Sequence, residues 1–157
     1  GAPSRRDGAG KGGVFMLVKE LRTSGVVTVE PGSSAALAAR LLSRHNVGAL
    51  PVCSREGRLR GMVTDRDIIL RCIAPEDDPA QTPVRDIMSR ACAYTSPDMD
   101  CLQAGALMAQ QQVRRLPVVE KGRVVGILTL SDLARCGRYD MEAARALSEI
   151  SENVVFR

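Results

Sequence analysis

The sequence LPVCSREGRLRGMVTDRD at residues 50–67 recurs, one residue shorter, as LPVVEKGRVVGILTLSD at residues 116–132. Leu-Pro-Val, Gly-Arg, a second glycine, a threonine and an aspartate follow one another in the same order in both copies. The match continues upstream, where Pro31 corresponds to Pro97. Such ordered self-similarity indicates an internal duplication, so the chain is predicted to contain two copies of one structural unit.

The hydrophobic pattern changes in the same succession within each copy. A short strand is followed by a helix, by a hairpin whose turn contains the Gly-Arg pair, and by a second helix. In the first copy these elements are predicted at residues 26–29, from Ser33 or Ser34 onward, at 49–53 with 59–64, and at 65–72. In the second copy they are predicted at residues 91–95, 100–111, 116–119 with 124–129, and from Leu130. Each unit is therefore expected to be β-α-β-β-α, and the fold class α/β, of the α+β type.

A unit of about 55–60 residues buries too small a share of its surface to be stable alone. The two units are therefore expected to pack their sheets face to face, related by a pseudo-twofold axis. The predicted divisions are a flexible N-terminal tail or expression remnant (1–15), the first unit (16–73), a Pro-rich linker (74–83), the second unit (84–137) and a C-terminal amphipathic helix (138–157).

The composition is that of a soluble globular protein, with 45% hydrophobic and 25% charged residues. Because no stretch approaches the roughly 20 apolar residues of a membrane span and no leader opens the chain, a cytoplasmic protein without a membrane partner is expected. The five cysteines form no Cys-x-x-Cys, and His45 is the single histidine. Neither a metal site nor catalytic residues are therefore expected, and the chain is not predicted to be an enzyme.

The net charge of +4 is a weak indication of a nucleic-acid partner. Arg5, Arg6 and Lys11 lie within the first fifteen residues, which leaves little excess charge on the repeated units. The chain also contains no tryptophan and few other aromatic residues on which bases could stack. No nucleic-acid partner is therefore expected.

The paired units, the Leu-Pro-Val before each hairpin, and the Gly-x-x-Thr-x-x-Asp at residues 61–67 and 126–132 resemble tandem CBS-domain proteins, or Bateman modules. The resemblance covers about residues 17–137. It implies a free-standing CBS pair with no obligatory cofactor, which senses an adenine nucleotide (AMP, ADP or ATP) as a regulatory ligand in clefts between the units. It also implies a homodimer that acts on an unknown effector protein. S-adenosylmethionine and cyclic di-AMP are alternative ligands.

The repeated Thr-x-x-Asp supplies four candidate nucleotide-binding residues: Thr64, Asp67, Thr129 and Asp132. Each threonine ends a strand and opens a helix, where free N–H groups attract phosphate. Each aspartate lies one helical turn further on and could accept hydrogen bonds from ribose hydroxyls. A capping box without any ligand accounts for the same spacing, and this alternative stays open.

Four further candidates flank these motifs. Arg114 and Arg115 occur in the second copy alone and resemble the His-Arg pair of the AMP-activated kinase gamma subunit, which implies phosphate contacts; a solvated surface pair is the alternative. Arg66 and Ser131 precede the aspartates, and the resemblance implies ligand contacts there too. An ion pair of Arg66 with a neighbouring aspartate is the alternative.

Two other features have more than one interpretation. Tyr94 could pack against an adenine or be an ordinary, partly buried tyrosine. The apolar spacing at residues 141–150 predicts a helix that covers the module or joins a dimer interface. A different function is also open: a structural or redox-linked dimerisation protein with vestigial clefts, in which Cys53, Cys72 or Cys136 is a reactive thiol.

Overall fold

The computed structural model of the chain describes residues 16–22, 25–134, 146 and 148–150. The predicted N-terminal tail, Cys136 and most of the predicted C-terminal helix lie outside these residues. From that helix, Ala146 and Ile150 are described and are buried.

The described elements follow the predicted order, with one two-stranded antiparallel sheet in each unit. They are α1 (Val18–Leu21), α2 (Ala35–His45), β1 (Ala49–Cys53), β2 (Leu59–Thr64), α3 (Asp65–Ile68), α4 (Cys101–Gln111), β3 (Arg115–Glu120), β4 (Arg123–Thr129) and α5 (Leu130–Ala134). A π-helical turn (Ile69–Ile73) continues α3, and a 3₁₀ turn (Val84–Asp86) precedes the second unit. The prediction of a mixed α+β fold built from two alike units is confirmed.

The longest helix of each unit begins and ends on a local sequence signal. The Ser34 hydroxyl accepts the N–H of Leu37 at 3.1 Å, and Asp100 caps α4 through an N–H two residues on. Asn46 and Gln112 follow the two helices in the left-handed conformation, with φ of 51° and 57°. Such residues end a helix by turning the chain away from its axis. The hairpins β1–β2 and β3–β4 start a few residues later.

The first strand predicted for each unit is reduced to one paired residue. Val29 forms a parallel bridge with Val52, and Thr95 forms the equivalent bridge with Val118. The rest of residues 26–29 and 91–95 runs beside the hairpin without joining it. Each unit therefore presents a short sheet with an irregular segment along one edge.

The two hydrophobic cores exchange segments between the units. The core of the first unit includes Val84 and Ile87, which follow the linker and are 0% and 1% exposed. The core of the second unit includes Val18 from α1, which is also fully buried. The bounds predicted from the sequence stay a prediction, but the segment that opens each predicted unit packs in the core of the other unit.

The hairpins of the two units also meet at their turns. Arg58 and Arg123 form an isolated antiparallel bridge, and the N–H of Val124 donates to the carbonyl of Gly57 at 3.0 Å. A cavity lined by residues of both units contains two of the candidate residues, Arg115 and Thr129.

Candidate functional site

Both Thr-x-x-Asp motifs form complete capping boxes. The N–H of Thr64 donates to Asp67 Oδ2 at 3.0 Å, and the N–H of Asp67 donates to Thr64 Oγ1 at 3.0 Å. Thr129 and Asp132 make the same pair of bonds at 2.8 and 3.1 Å. The alternative that the sequence leaves open is therefore realised, because the motif satisfies helix N–H groups by itself. Capping also holds each threonine at the junction of strand and helix.

The two aspartates differ in accessibility. Asp132 is 2% exposed, so its carboxylate is enclosed by the second unit. The side chain of Asp67 is 15% exposed, and its Oδ1 lies 3.7 Å from Nη1 of Arg71. A ribose contact at either aspartate stays a prediction, and the exposure is more favourable to Asp67.

A cavity of about 250 Å³ lies between the two units. The first unit supplies most of its wall through the segment before α2, the end of α2 and the start of β1; the second unit supplies residues from β3 and β4. The lining residues are Gly25, Val26, Val27, His45, Val47, Ala49, Leu50, Pro51, Arg115, Ile127 and Thr129. The wall is largely apolar, and Arg115, Thr129 and His45 add polar side chains to it.

Arg115 is the predicted residue with the most distinctive electrostatics. Burial lowers the pKa of its guanidinium, Asp65 of the first unit raises that pKa, and the neighbouring Arg114 lowers it. Asp65 Oδ2 lies 3.6 Å from the position that a Cβ on Gly48 would take, beside the cavity wall. A partly buried cation of the second unit therefore faces a carboxylate of the first.

The other predicted residues do not line this cavity. Arg66, Arg114 and Ser131 are exposed. The carbonyl of Arg114 accepts the N–H of Leu130 at 2.8 Å, which ties the start of α5 to β3. The backbone N–H of Arg66 donates to Asp65 Oδ1 at 2.7 Å. Thr129 therefore shares the cavity with Arg115, whereas Thr64 and Asp67 are not among the lining residues, although Ala49, the strand partner of Thr64, is.

The positions of His45 and Tyr94 relative to the cavity were not predicted from the sequence. His45 ends α2, as expected, but it also lines the cavity, which sequence reasoning missed. His45 precedes the Leu-Pro-Val strand by a few residues, and this closeness in sequence is the one signal that indicates its place beside the cavity. Tyr94 is 57% exposed and lies in a separate, open depression with Leu107 and Gln111. It therefore does not contribute to the wall of the cavity.

The described cysteines are free thiols, and three of the four are buried. Burial, and to a smaller extent the nearby Cys92, raise the pKa of Cys53 to about 11. Burial also raises the pKa of Cys92. Cys72 is fully buried. Because the thiolate is the reactive form, these surroundings disfavour the redox alternative for Cys53 and Cys72.

The CBS-domain family model matches the chain twice, at residues 18–73 and 84–138. The CBS domain-containing protein YhcV of Bacillus subtilis is 46% identical over 134 residues, which are 85% of this chain and 94% of YhcV. Both matches span most of the residues that carry the two units.

Two solved structures resemble the chain along most of their own length. The crystal structure of Hypoxic Response Protein I with two coordinated zinc ions has a TM-score of 0.71 at 32% identity and covers 76% of this chain and 98% of that one. The CBS domain pair of protein MJ0100, in complex with 5′-methylthioadenosine and S-adenosyl-L-methionine, has a TM-score of 0.69 at 28% identity and covers 78% and 95%.

The described part of this chain holds no group of three or more His, Cys, Asp or Glu side chains placed to bind a metal ion. Within the same residues, none of the helices has the length and apolar character that crossing a membrane requires.

Proposed function

The chain belongs to the CBS-domain family, and on that premise we propose that it is a regulatory, non-enzymatic module that binds an adenine nucleotide between its two units. The cavity between the units is the observation that carries this proposal. Its apolar wall suits a purine ring, and the guanidinium of Arg115 and the hydroxyl of Thr129 suit phosphate and ribose oxygens. Binding sites of small ligands combine apolar walls with a few placed polar groups in this way.

The candidate residues then take different roles. We assign phosphate binding to Arg115 and a hydrogen bond to the ligand to Thr129, while Asp132 holds Thr129 in place. Ser131 and Arg114 are exposed next to Asp132 and Arg115 in the sequence, and we assign them no direct ligand contact in this cavity. By the pseudo-symmetry of the repeat, Thr64, Arg66 and Asp67 belong to a second cleft, in which Ala49 stands where the first has Arg115. The two clefts are therefore expected to differ in their preference for phosphate.

Two independent observations support the ligand class. The related CBS pair of MJ0100 holds adenosyl compounds, which supports an adenosyl ligand here. Arg115 favours a ligand that carries phosphate over S-adenosylmethionine, whose sulfonium is positively charged. An adenine nucleotide satisfies both conditions, and the buried free thiols fit the reducing cytoplasm as its place of action.

The proposal also includes a homodimer that transmits the ligand signal to an effector protein. Ile69, Leu70 and Ile73 are 57%, 49% and 50% exposed on the π-helical turn after α3, and an apolar surface of this kind favours association. Light scattering that reports about twice 16.9 kDa supports the dimer. A mass of one chain at high concentration, with and without nucleotide, contradicts it.

The direct test of the binding function is a thermal melt with adenosine, AMP, ADP, ATP, S-adenosylmethionine and cyclic di-AMP, with GTP as the base control. A ligand that binds the folded state alone adds about 2.7 kcal/mol to the free energy of unfolding at 100 times its Kd. We expect the adenine nucleotides to raise Tm and GTP to leave it unchanged. An unchanged Tm with every adenine compound at millimolar concentration contradicts the proposal.

A further inference from the structure

The junction of the two hairpin turns brings two arginines of different units together. Arg58 and Arg123 are opposite each other in an antiparallel bridge. The Arg58 guanidinium lies over Gly122, where a Cβ would come within 2.8 Å of Nη1, and the Arg123 side chain lies over Gly57. Both glycines have positive φ, 80° and 84°, a backbone conformation that residues with a side chain rarely adopt. The turns are thus built so that two long cationic side chains cross them.

Within the described part of the chain, these arginines have no acidic partner at ion-pair distance. Among the described residues, no carboxylate oxygen lies within 4.0 Å of a nitrogen of Arg58 or Arg123; the ion pairs found there involve other residues. Glu56 is in the same turn, and its pKa is lowered by hydrogen bonds to its own backbone N–H and Ser54 and then by Arg60 and Arg58, yet it remains fully exposed. Both arginines carry their charge at the exposed junction, where a bound anion would supply the missing charge partner.

A second cavity, of about 270 Å³, lies at this junction. Its lining residues are Gly25, Val26, Thr28, Cys53, Gly57, Val124 and Val125. Gly57 and Val124 are the residues whose backbones join the hairpins, so the cavity adjoins both arginines. Gly25 and Val26 also line the nucleotide cavity, which makes the two cavities neighbours.

A third arginine reaches the same wall. Nη1 of Arg22 donates a hydrogen bond to the carbonyl of Val125, a lining residue. Nε of Arg22 is buried and has no hydrogen-bond partner in the described structure. A buried donor without an acceptor is costly, and an anion bound beside this wall would supply one.

We infer that the hairpin junction is a second anion site, in which Arg22, Arg58 and Arg123 bind a phosphate group. The guanidinium group matches phosphate oxygens with its planar fork of donors, and three such groups suit a multiply charged anion. The phosphate belongs either to a free oligophosphate or to the phosphate chain of a nucleotide in the neighbouring cavity. The site itself does not depend on adenine recognition.

The test is calorimetric titration of the full chain with inorganic tripolyphosphate in the absence of nucleotide. The variant Arg58→Gln/Arg123→Gln removes the two junction arginines, while Arg55→Gln/Arg60→Gln removes the same charge from two other positions of the first hairpin; all four arginines are exposed. Arg22 is left in place because it packs between the units. We expect the wild type to bind one tripolyphosphate, the junction variant to bind at least tenfold more weakly, and the control to change less than about threefold. Absence of binding to the wild type, or equal losses in both variants, overturns the inference.

A second titration identifies the source of the phosphate. If the nucleotide reaches the junction, the junction variant binds ATP more weakly than the wild type does, but adenosine equally well. If the anion is a separate molecule, tripolyphosphate still binds to protein saturated with ATP, and the variant keeps its ATP affinity. Tripolyphosphate binding without any adenosine or ATP binding supports the anion site and contradicts the proposed nucleotide function, so the two failures are distinguishable.

Discussion

Arg114 and Arg115 are neighbours in sequence but lie in different surroundings. Arg115 is partly buried in the cavity wall, where burial lowers its pKa, and Arg114 is exposed. We expect Arg115→Ala to weaken AMP and ATP binding by about 1.5–3 kcal/mol, or roughly 10- to 150-fold, the usual loss for a hydrogen bond to a charged group. Arg114→Ala is expected to change affinity less than about threefold. Calorimetric titration of both variants measures the difference.

Adenosine is the matched control ligand for these variants because it carries no phosphate. Its affinity is expected to stay the same in Arg115→Ala. A loss of adenosine affinity as large as the loss for ATP would show that Arg115 maintains the cavity instead of binding phosphate.

The thiol of Cys53 gives a second prediction at the level of single residues. At pH 7.5 its raised pKa of about 11 leaves only a very small fraction as the nucleophilic thiolate. We expect iodoacetamide to leave Cys53 and the fully buried Cys72 unmodified in the native protein and to modify both in urea. Peptide mass mapping measures this, and rapid native labelling of Cys53 would revive the redox-linked alternative.

Residue roles were predictable from the sequence where the chemistry is local. The bonds of Thr64 with Asp67, and of Thr129 with Asp132, close within three residues, so their spacing alone predicts them. The presence of His45 in the cavity depends on how the end of α2 meets the second unit, and no periodicity in the sequence records that contact.

The same distinction holds for whole elements. Hairpins and capped helices carry their own turn and cap residues, and they were predicted close to their observed bounds. The segment at residues 26–29 has the composition of a strand, but its pairing is limited to Val29, because the adjoining residues have no partner on that edge of the sheet. For the π-helical turn at Ile69–Ile73 the sequence predicts ordinary helix, because apolar spacing does not distinguish a π-helix from an α-helix.

The position of Gly61 in β2 leaves no room for a side chain. A Cβ there would lie 2.2 Å from the carbonyl oxygen of Ser89. The backbones of Ser89 and Met62 are held together by two hydrogen bonds of 2.9 Å, in which each N–H donates to the carbonyl of the other residue. We expect Gly61→Ala to lower the free energy of unfolding by about 1–3 kcal/mol, because the backbone must shift. Urea denaturation measures the change.

Gly32→Ala is the control for that substitution. A Cβ at Gly32 would meet Arg85 Nη1 at 3.6 Å, an ordinary contact with the end of a flexible side chain. Its stability is expected to stay within about 0.5 kcal/mol of the wild type. Equal losses in the two variants would mean that the close approach of Ser89 to β2 does not limit Gly61.

At the scale of the whole molecule, the exchanged segments make the two units interdependent. The repeat in the sequence predicts two alike units, but it does not record which core each connecting segment enters. Val84 and Ile87 complete the first core from beyond the linker, and Val18 completes the second from the start of the described chain. Each unit is therefore expected to depend on the other for its free energy of unfolding, although each has its own sheet.

Two fragments of equal length test this exchange: residues 16–79, which contain the predicted first unit and part of the linker, and residues 25–88, which omit α1 and include the exchanged segment. Burial of Val84 and Ile87 contributes about 3–6 kcal/mol together, comparable with the whole stability of a small domain. Fragment 16–79 also loses the Thr82 carbonyl that accepts the N–H of Ala35 at the start of α2, at 2.8 Å. We expect circular dichroism to show a cooperative urea transition for 25–88 and little native structure for 16–79. If 16–79 unfolds as cooperatively as 25–88, each unit is stable without its exchanged segment, and the interdependence of the two cores is wrong.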